Sequence, residues 1–245
     1  MVLAVIPARY ASARLPGKPL VDIGGQTLIQ RVYAAVVKCE SLDQVVVATD
    51  DERIFRHVED FGGAVVMTAA THPSGTDRVA EAARNFPEAS IVVNVQGDEP
   101  FIQPEQIAAV VDPFRDEKLS ICTLATPMRD EHALLSPNVV KVVRDEAGRA
   151  LYFSRHAIPF LREVPIGRWI DQQKHLQHIG LYAYRAEVLQ QLTVLPTAPL
   201  ELDESLEQLR WLSAGYRIYV GLTDLPSIGV DTPADLEEAI RRVTD

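Results

Sequence analysis

Cysteine and long apolar runs are both scarce in this sequence. Of its 245 residues only Cys39 and Cys122 are cysteines, and they belong to no CxxC or Cys/His pattern. We therefore expect two reduced core thiols rather than a disulfide or a zinc site. No window approaches the ~18 apolar residues of a membrane helix, and the N-terminus lacks the basic region of a signal peptide. These absences predict a soluble, cytoplasmic protein without membrane insertion.

Positive charge is also in short supply. The formal net charge is -10, with 34 acidic residues against 24 lysines and arginines. A nucleic-acid surface would be basic, so nucleic acid is not an expected partner. The N-terminal stretch departs from this balance, because Arg9, Arg14 and Lys18 all precede the first acidic residue, Asp22. Cations gathered locally in an acidic protein favour a small anionic ligand at that place.

These cations follow the first predicted strand. Val2–Ile6 is a continuous apolar run typical of a buried parallel strand. The loop after it contains RLPGK at positions 14–18, in which two cations flank a Pro-Gly turn. Open α/β sheets build phosphate sites in such loops, at the carboxyl ends of strands. Neither GxxxxGK[ST] nor GxGxxG is present, so the loop is not predicted to be a P-loop or a dinucleotide-binding turn.

Strand and helix patterns alternate in the N-terminal half of the chain. Strands are predicted at Val2–Ile6, Gln44–Ala48, Ala64–Met67 and Ile91–Val95, and helices at Thr27–Lys38, from the cap Asp50 to Phe61, and at Thr76–Phe86. This alternation implies a parallel sheet with right-handed crossovers.

The pattern becomes less regular in the C-terminal half. Further strands are predicted at Ser120–Thr126, Val139–Arg144, Ile179–Tyr184 and Arg217–Leu222. Leu151–Gly167 contains Pro159 and Pro165 and has no clear period, so we interpret it as an excursion that forms a smaller subdomain or a dimer surface.

Two helices are expected near the C-terminus. One carries a leucine stripe, with acidic residues on its other faces: Leu202, Leu206, Leu209 and Leu212, against Glu201, Glu204 and Glu207. Glu207 and Gln208 would then lie on a solvated face. The last helix opens with a cap, a proline and an acid at Thr232, Pro233 and Asp235.

Two acidic residues are candidates for metal chemistry. Asp98 follows the apolar strand at 91–95, where a carboxylate is well placed for a hard cation that bridges phosphates. Asp231 precedes the cap of the last helix. Either could equally be an ordinary turn or helix-start aspartate, but together with the basic loop they suggest Mg²⁺–nucleotide chemistry. His178, alone at a strand start, is more typical of a structural histidine.

Eight segments in one order give the sequence a family resemblance. They are IPARYASARLPGKPL (6–20), VATDDERI (47–54), SGTDR (74–78), VNVQGDEP (93–100), LYFSR (151–155), HIGLYAYR (178–185), LEQLR (206–210) and GVDTPADL (229–236). Over essentially the whole chain, this set closely resembles the 3-deoxy-manno-octulosonate cytidylyltransferases, or CMP-Kdo synthetases, of lipopolysaccharide assembly. Ala13 departs from the family, which usually has Ser or Thr there.

The resemblance implies both a fold and a reaction. The fold would be an α/β, Rossmann-like three-layer sandwich with a mixed, mostly parallel sheet. It would form a single nucleotidyltransferase domain over 1–245, with a smaller interface subdomain at about 126–180 that makes a homodimer. The enzyme would transfer CMP from CTP to Kdo, giving CMP-Kdo and pyrophosphate, and would need Mg²⁺.

The resemblance also implies roles for individual residues. Catalysis would fall to Arg14, Lys18, Asp98 and Asp231, of which Asp98 and Asp231 would hold magnesium. The nucleotide would contact Pro7, Ala8, Arg9, Arg14, Lys18, Ser74, Gly75 and Arg78. Kdo would contact Gln96, Arg155, His178, Glu207 and Gln208, with Arg155 or His178 meeting its carboxylate.

The expected mechanism is direct in-line attack by the anomeric hydroxyl of Kdo on the α-phosphorus of CTP. No covalent intermediate is expected, and catalysis would consist of positioning and charge neutralisation. Asp98 is also expected to help orient or deprotonate the attacking hydroxyl. Two alternatives stay open: a cytidylyltransferase for 8-amino-Kdo or a sialic acid, and a catalytically silent nucleotide-binding module.

Overall fold

The apolar N-terminal run becomes the central strand of the molecule. A computed structural model describes residues 1–11 and 15–244, and in it β1 spans Val2–Ala8. Leu3, Ala4, Val5 and Ile6 have no exposed surface. Because β-branched and apolar residues on both faces need cover on both faces, such a run belongs inside a parallel sheet.

The remaining elements follow in chain order. In the N-terminal half they are α1 (Leu28–Val36), β2 (Gln44–Thr49), α2 (Glu52–Asp60), β3 (Val65–Met67), α3 (Gly75–Ala83), β4 (Ile91–Asn94) and α4 (Pro104–Val111). Then come β5 (Ile121–Pro127), α5 (Glu131–Leu135), β6 (Lys141–Arg144), β7 (Ala150–Ser154), β8 (Leu176–Arg185), α6 (Ala186–Leu192), α7 (Pro199–Glu204), α8 (Gln208–Ser213), β9 (Ile218–Leu222) and α9 (Pro233–Thr244). Short 3₁₀ turns lie at Lys18–Leu20, Asp112–Arg115, Ile166–Arg168 and Ile170–Gln172.

The strands form one mixed sheet. Its order is β3-β2-β1-β4-β8-β5-β9, with β6 added to the start of β8 and β7 added to β6. The pairs among β1, β2, β3 and β4 are parallel, as is β5 with β9, whereas β8 runs antiparallel to both β4 and β5. The predicted mixed, mostly parallel sheet is confirmed.

Helices cover both faces of this sheet. Alternate β1 side chains enter two separate apolar layers, Ala4 and Ile6 on one face and Leu3 and Val5 on the other. The first layer is closed by helices α1, α2, α4 and α9, and the second by α3, α6 and α8. The predicted three-layer α/β architecture is therefore confirmed. Cys39 and Cys122 are both free thiols inside it.

Most predicted elements are confirmed, but the cap of α2 is not the predicted residue. Asp51, not Asp50, caps this helix, and its carboxylate accepts a hydrogen bond from the Arg53 amide at 2.9 Å. The Asp50 carboxylate instead faces the Arg78 guanidinium, 3.2 Å away. The local pattern Thr-Asp-Asp offered two equivalent caps, and a distant arginine decided between them.

The predicted single helix over residues 201–212 is also wrong. It is two short helices, α7 and α8, because Ser205 adopts a left-handed conformation with φ of 49°. The break turns Leu202 to solvent, where it is 68% exposed, and leaves Gln208 buried. The leucine spacing matches one continuous helix, so the sequence pattern could not reveal the break.

The interpretation of Leu151–Gly167 as wholly irregular needs one correction. Its first residues form β7, which pairs with β6, and the chain becomes irregular only after Ser154. Between β5 and β8 lies a small separate apolar cluster centred on Met128, Leu134, Ala157 and Trp169. A smaller subdomain at about 126–180 with an interface role stays a prediction.

No helix in the described part of the chain combines the length and the apolar character that crossing a bilayer demands.

Candidate active site

Three side chains from distant parts of the chain meet beyond the carboxyl ends of β1 and β4. The Lys18 ammonium donates to Asp98 Oδ2 at 2.6 Å and to Asp231 Oδ1 at 2.8 Å. Lys18 opens the 3₁₀ turn after Gly17, Asp98 follows β4, and Asp231 precedes α9. The structure therefore brings together three of the residues predicted to be catalytic. Arg14, the fourth, lies outside the described residues, as does Ala13.

Backbone contacts fix the two carboxylates relative to each other. The Val230 amide donates to the Asp98 carbonyl at 2.8 Å, which ties the segment before α9 to the turn after β4. Asp235 accepts hydrogen bonds from the Asp231 amide at 3.1 Å and the Thr232 amide at 2.8 Å, so the predicted cap of α9 also holds Asp231.

Glycine is required in the turn that carries Asp98. A Cβ atom placed on Gly97 would lie 2.6 Å from the Pro7 carbonyl oxygen of β1. Backbone cannot withdraw like the end of a flexible side chain, so only glycine lets this turn approach β1 so closely. That approach puts Asp98 beside the end of β1, where the basic loop begins.

The two carboxylates shift the pKa of the lysine between them. Burial pulls the pKa of Lys18 down, but the nearby charges and hydrogen bonds of Asp98 and Asp231 outweigh it and hold that pKa above its usual value. Both carboxylate side chains keep surface open to solvent, 29% for Asp98 and 45% for Asp231. The described residues contain no group of three or more His, Cys, Asp or Glu side chains able to enclose a metal. A cation held here would need its other ligands from substrate or water.

Sequence reasoning did not find Glu99, which lies next to Asp98. The residue is 8% exposed, and its carboxyl accepts a hydrogen bond from the Ser227 hydroxyl at 2.7 Å. Burial raises the pKa of Glu99 to about 7, and the neighbouring Asp98 charge acts in the same direction. The QGDEP motif places Glu99 beside Asp98 but carries no signal that its side chain turns inward.

Two arginines lie near the carboxyl ends of β1 and β2. Arg78, on α3, has no exposed surface and lies 3.2 Å from Asp50, while Arg9 directly follows β1. Burial lowers the pKa of Arg78, with Arg9 pushing the same way and Asp50 opposing. The Arg9 Nη2 and Arg78 Nε atoms are buried and meet no acceptor among residues 1–11 and 15–244. Buried donors without partners are costly, so this pair has donor capacity for an anionic ligand.

The other predicted nucleotide contacts border these arginines. Pro7 and Ala8 end β1, and Ser74 caps α3 through a reciprocal capping box with Asp77. Pro7 lies 3.7 Å from a Cβ built on Gly75, the first residue of α3. Pro7, Ala8, Ser74 and Gly75 therefore lie close together, where the end of β1 meets the start of α3.

Two of the residues assigned to the sugar acid, Gln96 and His178, lie after β4 and on β8. The side-chain amide of Gln96 donates to the Gly180 carbonyl of β8 at 3.0 Å, which joins the Asp98 turn to that strand. His178, also on β8, lies 3.0 Å from the Thr123 hydroxyl and packs against the Phe153 and Tyr182 rings. Burial lowers the pKa of His178 to about 3. At neutral pH its ring is thus an uncharged hydrogen-bonding group.

The helical pattern predicts that Glu207 lies on a solvated face, and this prediction is wrong. Its carboxylate accepts a hydrogen bond from Thr76 of α3 at 2.5 Å, and Gln208 beside it is 6% exposed. Burial raises the pKa of Glu207, although the Thr76 and Ser74 hydroxyls oppose this. Because Thr76 lies two residues after Ser74, Glu207 links the predicted sugar contacts to the predicted nucleotide contacts.

Arg155 makes three side-chain bonds to backbone. Its Nε donates to the Glu204 carbonyl, Nη1 to the Pro137 carbonyl and Nη2 to the Ser205 carbonyl, at 2.7, 2.9 and 3.2 Å. The guanidinium is therefore held rigidly against the turn between α7 and α8, close in sequence to Glu207 and Gln208.

The chain is similar to known cytidylyltransferases over nearly its whole length. The profile of the family described as Cytidylyltransferase matches residues 3–218. A 3-deoxy-manno-octulosonate cytidylyltransferase of Parabacteroides distasonis is 51% identical over 243 residues, which covers 97% of this chain and 96% of the relative. One of Bacteroides thetaiotaomicron is 52% identical over 241 residues, with the same coverage of 97% and 96%. The solved structure of CMP:2-keto-3-deoxy-manno-octonic acid synthetase complexed with CTP is similar at a TM-score of 0.92 and 42% identity, covering 99% of this chain and 98% of that one.

Proposed function

This chain belongs to the cytidylyltransferase family, and on that premise we propose that it transfers CMP from CTP to 3-deoxy-manno-octulosonate, giving CMP-Kdo and pyrophosphate. The observation that carries the proposal is the meeting of Lys18, Asp98 and Asp231 beside the buried donors of Arg9 and Arg78. Relatives of that name, alike over nearly the whole chain, support Kdo as the sugar acid.

The reaction is an in-line displacement at the α-phosphorus of CTP. The anomeric hydroxyl oxygen of Kdo bonds to that phosphorus, and the bond from phosphorus to the bridging oxygen of pyrophosphate breaks. Pyrophosphate leaves with the electron pair, and the hydroxyl proton passes to Asp98 or to solvent. Arg9, Arg14 and Lys18 would offset the negative charge that grows on the leaving group.

The two aspartates suit a magnesium ion. Oxygens of Asp98 and Asp231 lie within 2.8 Å of one nitrogen, so they already converge on a single cationic point. Mg²⁺ is commonly held by one or two carboxylates together with water and substrate phosphates. We therefore assign Asp98 and Asp231 as its protein ligands. When bound, Mg²⁺ would withdraw charge from the phosphate oxygens.

The sugar acid would bind between the Asp98 turn and α8. Gln96, His178, Glu207 and Gln208 offer neutral or acidic hydrogen-bonding groups for its hydroxyls, and Arg155 offers the cation for its carboxylate. His178 would act as a neutral partner, because burial keeps its pKa far below 7. We further propose a homodimer formed through the segment at about 126–180, and a cytoplasmic role in lipopolysaccharide biosynthesis.

Pyrophosphate release from the purified protein tests this function. With CTP and Mg²⁺, we expect release only when Kdo is added, and EDTA should abolish it. Parallel reactions with 8-amino-Kdo and a sialic acid test the choice of sugar. CTP binding without release for any sugar acid would contradict the proposal and favour a silent nucleotide-binding module.

A further inference from the structure

Lys141, at the start of β6, is a lysine with no exposed surface. Its ammonium donates three hydrogen bonds to backbone carbonyls, to Ser136 at 2.8 Å, Val139 at 2.7 Å and Arg155 at 2.6 Å. A neutral amine has only two N–H groups, so three carbonyl acceptors require the protonated form. Lysine is almost never fully buried unless its charge is paired or fully hydrogen-bonded. Such complete use of one buried ammonium indicates a defined structural task.

That task is centred on Arg155. The Lys141 ammonium donates to the Arg155 carbonyl. Its backbone also pairs β6 with both neighbouring strands, at Ser154 of β7 and at Gln177 of β8. The His178 amide donates to the Val140 carbonyl at 2.9 Å. The residue before Lys141 therefore contacts His178, and Lys141 itself fixes Arg155.

Arg155 in turn has donors left for a ligand. A guanidinium carries five N–H groups, and three are used on the carbonyls of Pro137, Glu204 and Ser205. Within residues 1–11 and 15–244, the other two N–H groups, one on each terminal nitrogen, meet no acceptor. A carboxylate accepts two parallel hydrogen bonds from such a fork, provided that the fork is held still.

Glu204 completes the arrangement on the side opposite Lys141. Its carboxylate accepts from the Arg155 amide at 2.8 Å and from the Ser154 hydroxyl at 2.6 Å. Although burial acts against it, these hydrogen bonds hold the pKa of Glu204 below its usual value. The Arg155 carbonyl thus accepts a hydrogen bond from the Lys141 ammonium, and the Arg155 amide donates one to the Glu204 carboxylate.

We propose that Lys141 is a positioning residue for sugar-acid recognition: its buried ammonium fixes the Arg155 backbone, so that the two remaining guanidinium N–H groups face the carboxylate of the sugar acid. The inference rests on the proposed function, because it assumes that Arg155 binds Kdo. It assigns Lys141 no contact with substrate and no part in nucleotide binding.

A Lys141→Met variant tests the proposal by steady-state kinetics of pyrophosphate release. We expect KM for Kdo to rise by about tenfold or more, the size typical of lost supporting contacts, with KM for CTP within about twofold of the parent protein. Lys118→Met, which removes an exposed lysine, is the matched control and should change neither value. A general loss of structure would instead weaken CTP and Kdo together.

Coupling to Arg155 gives a second measurement. If Lys141 acts through Arg155, the double variant Lys141→Met/Arg155→Lys should raise KM for Kdo little more than Arg155→Lys alone, since coupled sites are not additive. Independent, multiplied effects would overturn the proposal, as would an unchanged KM for Kdo in a folded Lys141→Met protein.

A milder variant covers the case in which Lys141→Met does not fold. Ser154→Ala removes the hydroxyl that donates to Glu204, the carboxylate that holds the Arg155 amide, and leaves all charges in place. It should raise KM for Kdo about threefold at unchanged KM for CTP, and no change would count against the proposal. An inactive parent protein would refute the proposed function itself, whereas an active parent with a normal variant would refute only the role of Lys141.

Discussion

At the scale of single residues, the site depends on two carboxylates that share one ammonium. Asp98 and Asp231 both accept from Lys18, yet both side chains keep solvent-exposed surface. Exposed ion pairs contribute about 0–1 kcal/mol to stability, so the cluster contributes little to holding the fold together. This fits the role that we propose for it, in binding magnesium and the phosphates of CTP.

Asp98→Asn should therefore reduce turnover without unfolding the protein. Asparagine keeps the shape of the side chain but removes the charge that would hold a cation and orient the attacking hydroxyl. We expect kcat for pyrophosphate release to fall by about 10²-fold or more, with the free energy of unfolding changed by less than about 1 kcal/mol. Asp224→Asn, at an exposed aspartate paired with Arg129, is the control and should be neutral. Near-normal turnover would remove Asp98 from the mechanism.

His178 should leave a pH signature in stability. Burial lowers its pKa from the ordinary value of 6.5 to about 3, so below pH 6.5 the unfolded chain binds a proton that the folded chain does not. The stabilisation that comes from the uncharged His178 ring is then fully present above pH 6.5 and is lost as the pH falls. Between pH 7 and pH 5 this amounts to about 2 kcal/mol.

Urea unfolding of the parent protein and of His178→Gln at pH 5, 6 and 7 measures this effect. The difference in unfolding free energy between the two proteins should shrink by about 2 kcal/mol from pH 7 to pH 5. His132→Gln, at an exposed histidine, should follow the parent protein at each pH. Parallel curves for His178→Gln and the parent protein would contradict a buried neutral imidazole.

Which residues could be predicted from sequence depends on where their signal lies. Lys18 and Asp98 follow strands within local motifs, so their position at strand ends could be read from the chain. Glu99, Lys141 and Glu207 could not, because a buried charge depends on partners far away in sequence, such as Ser227 for Glu99 and Thr76 for Glu207. Charged residues are expected outside, and the exceptions emerge only in the packed fold.

At the scale of elements, the approach of the β4 turn to β1 sets the site. Gly97→Ala would place a Cβ 2.6 Å from the Pro7 carbonyl and push the Asp98 turn away from β1. We expect a loss of about 1–3 kcal/mol in the free energy of unfolding and a fall in kcat, because Asp98 would move. Gly167→Ala is a matched control, since its Cβ would come no closer than 3.8 Å to any neighbour. Equal stability and activity of the two variants would show that the turn tolerates a side chain.

Helices and strands could be predicted where the sequence pattern fits a single structure, and could not where it fits two structures equally well. The apolar runs of β1, β2 and β4 allow only buried strands, and all three are confirmed. The leucine stripe near residue 205 fits one helix as well as two, and the left-handed Ser205 that separates them has no sequence signature. Its carbonyl accepts from Arg155, so a long-range contact accompanies the break.

At the scale of the whole molecule, charge is distributed against the overall balance. A chain of net charge -10 gathers Arg9, Lys18 and Arg78 near the carboxyl ends of its central strands. This distribution could be inferred from sequence only in part, because Arg78 joins the site through folding of α3.

The segment between β5 and β8 yields the prediction at this scale. Phe160 and Ile166 lie on it and are 71% and 52% exposed, although the Phe160 ring also meets Trp169 of the small apolar cluster edge-on. If this segment forms a homodimer, two-fold symmetry brings each residue into the interface twice. The double variant Phe160→Glu/Ile166→Glu would then bury four uncompensated charges, at a cost far above the stability of an ordinary interface contact.

Sedimentation equilibrium checks this prediction. We expect a dimer for the parent protein and a monomer for Phe160→Glu/Ile166→Glu, with unchanged circular dichroism because both side chains are largely exposed within one chain. Val194→Glu is the control, since Val194 is 79% exposed but lies outside the segment, before α7. It should leave the dimer intact. A monomeric parent protein, or a dimer that Val194→Glu dissociates and the double variant does not, would place the interface elsewhere or remove it.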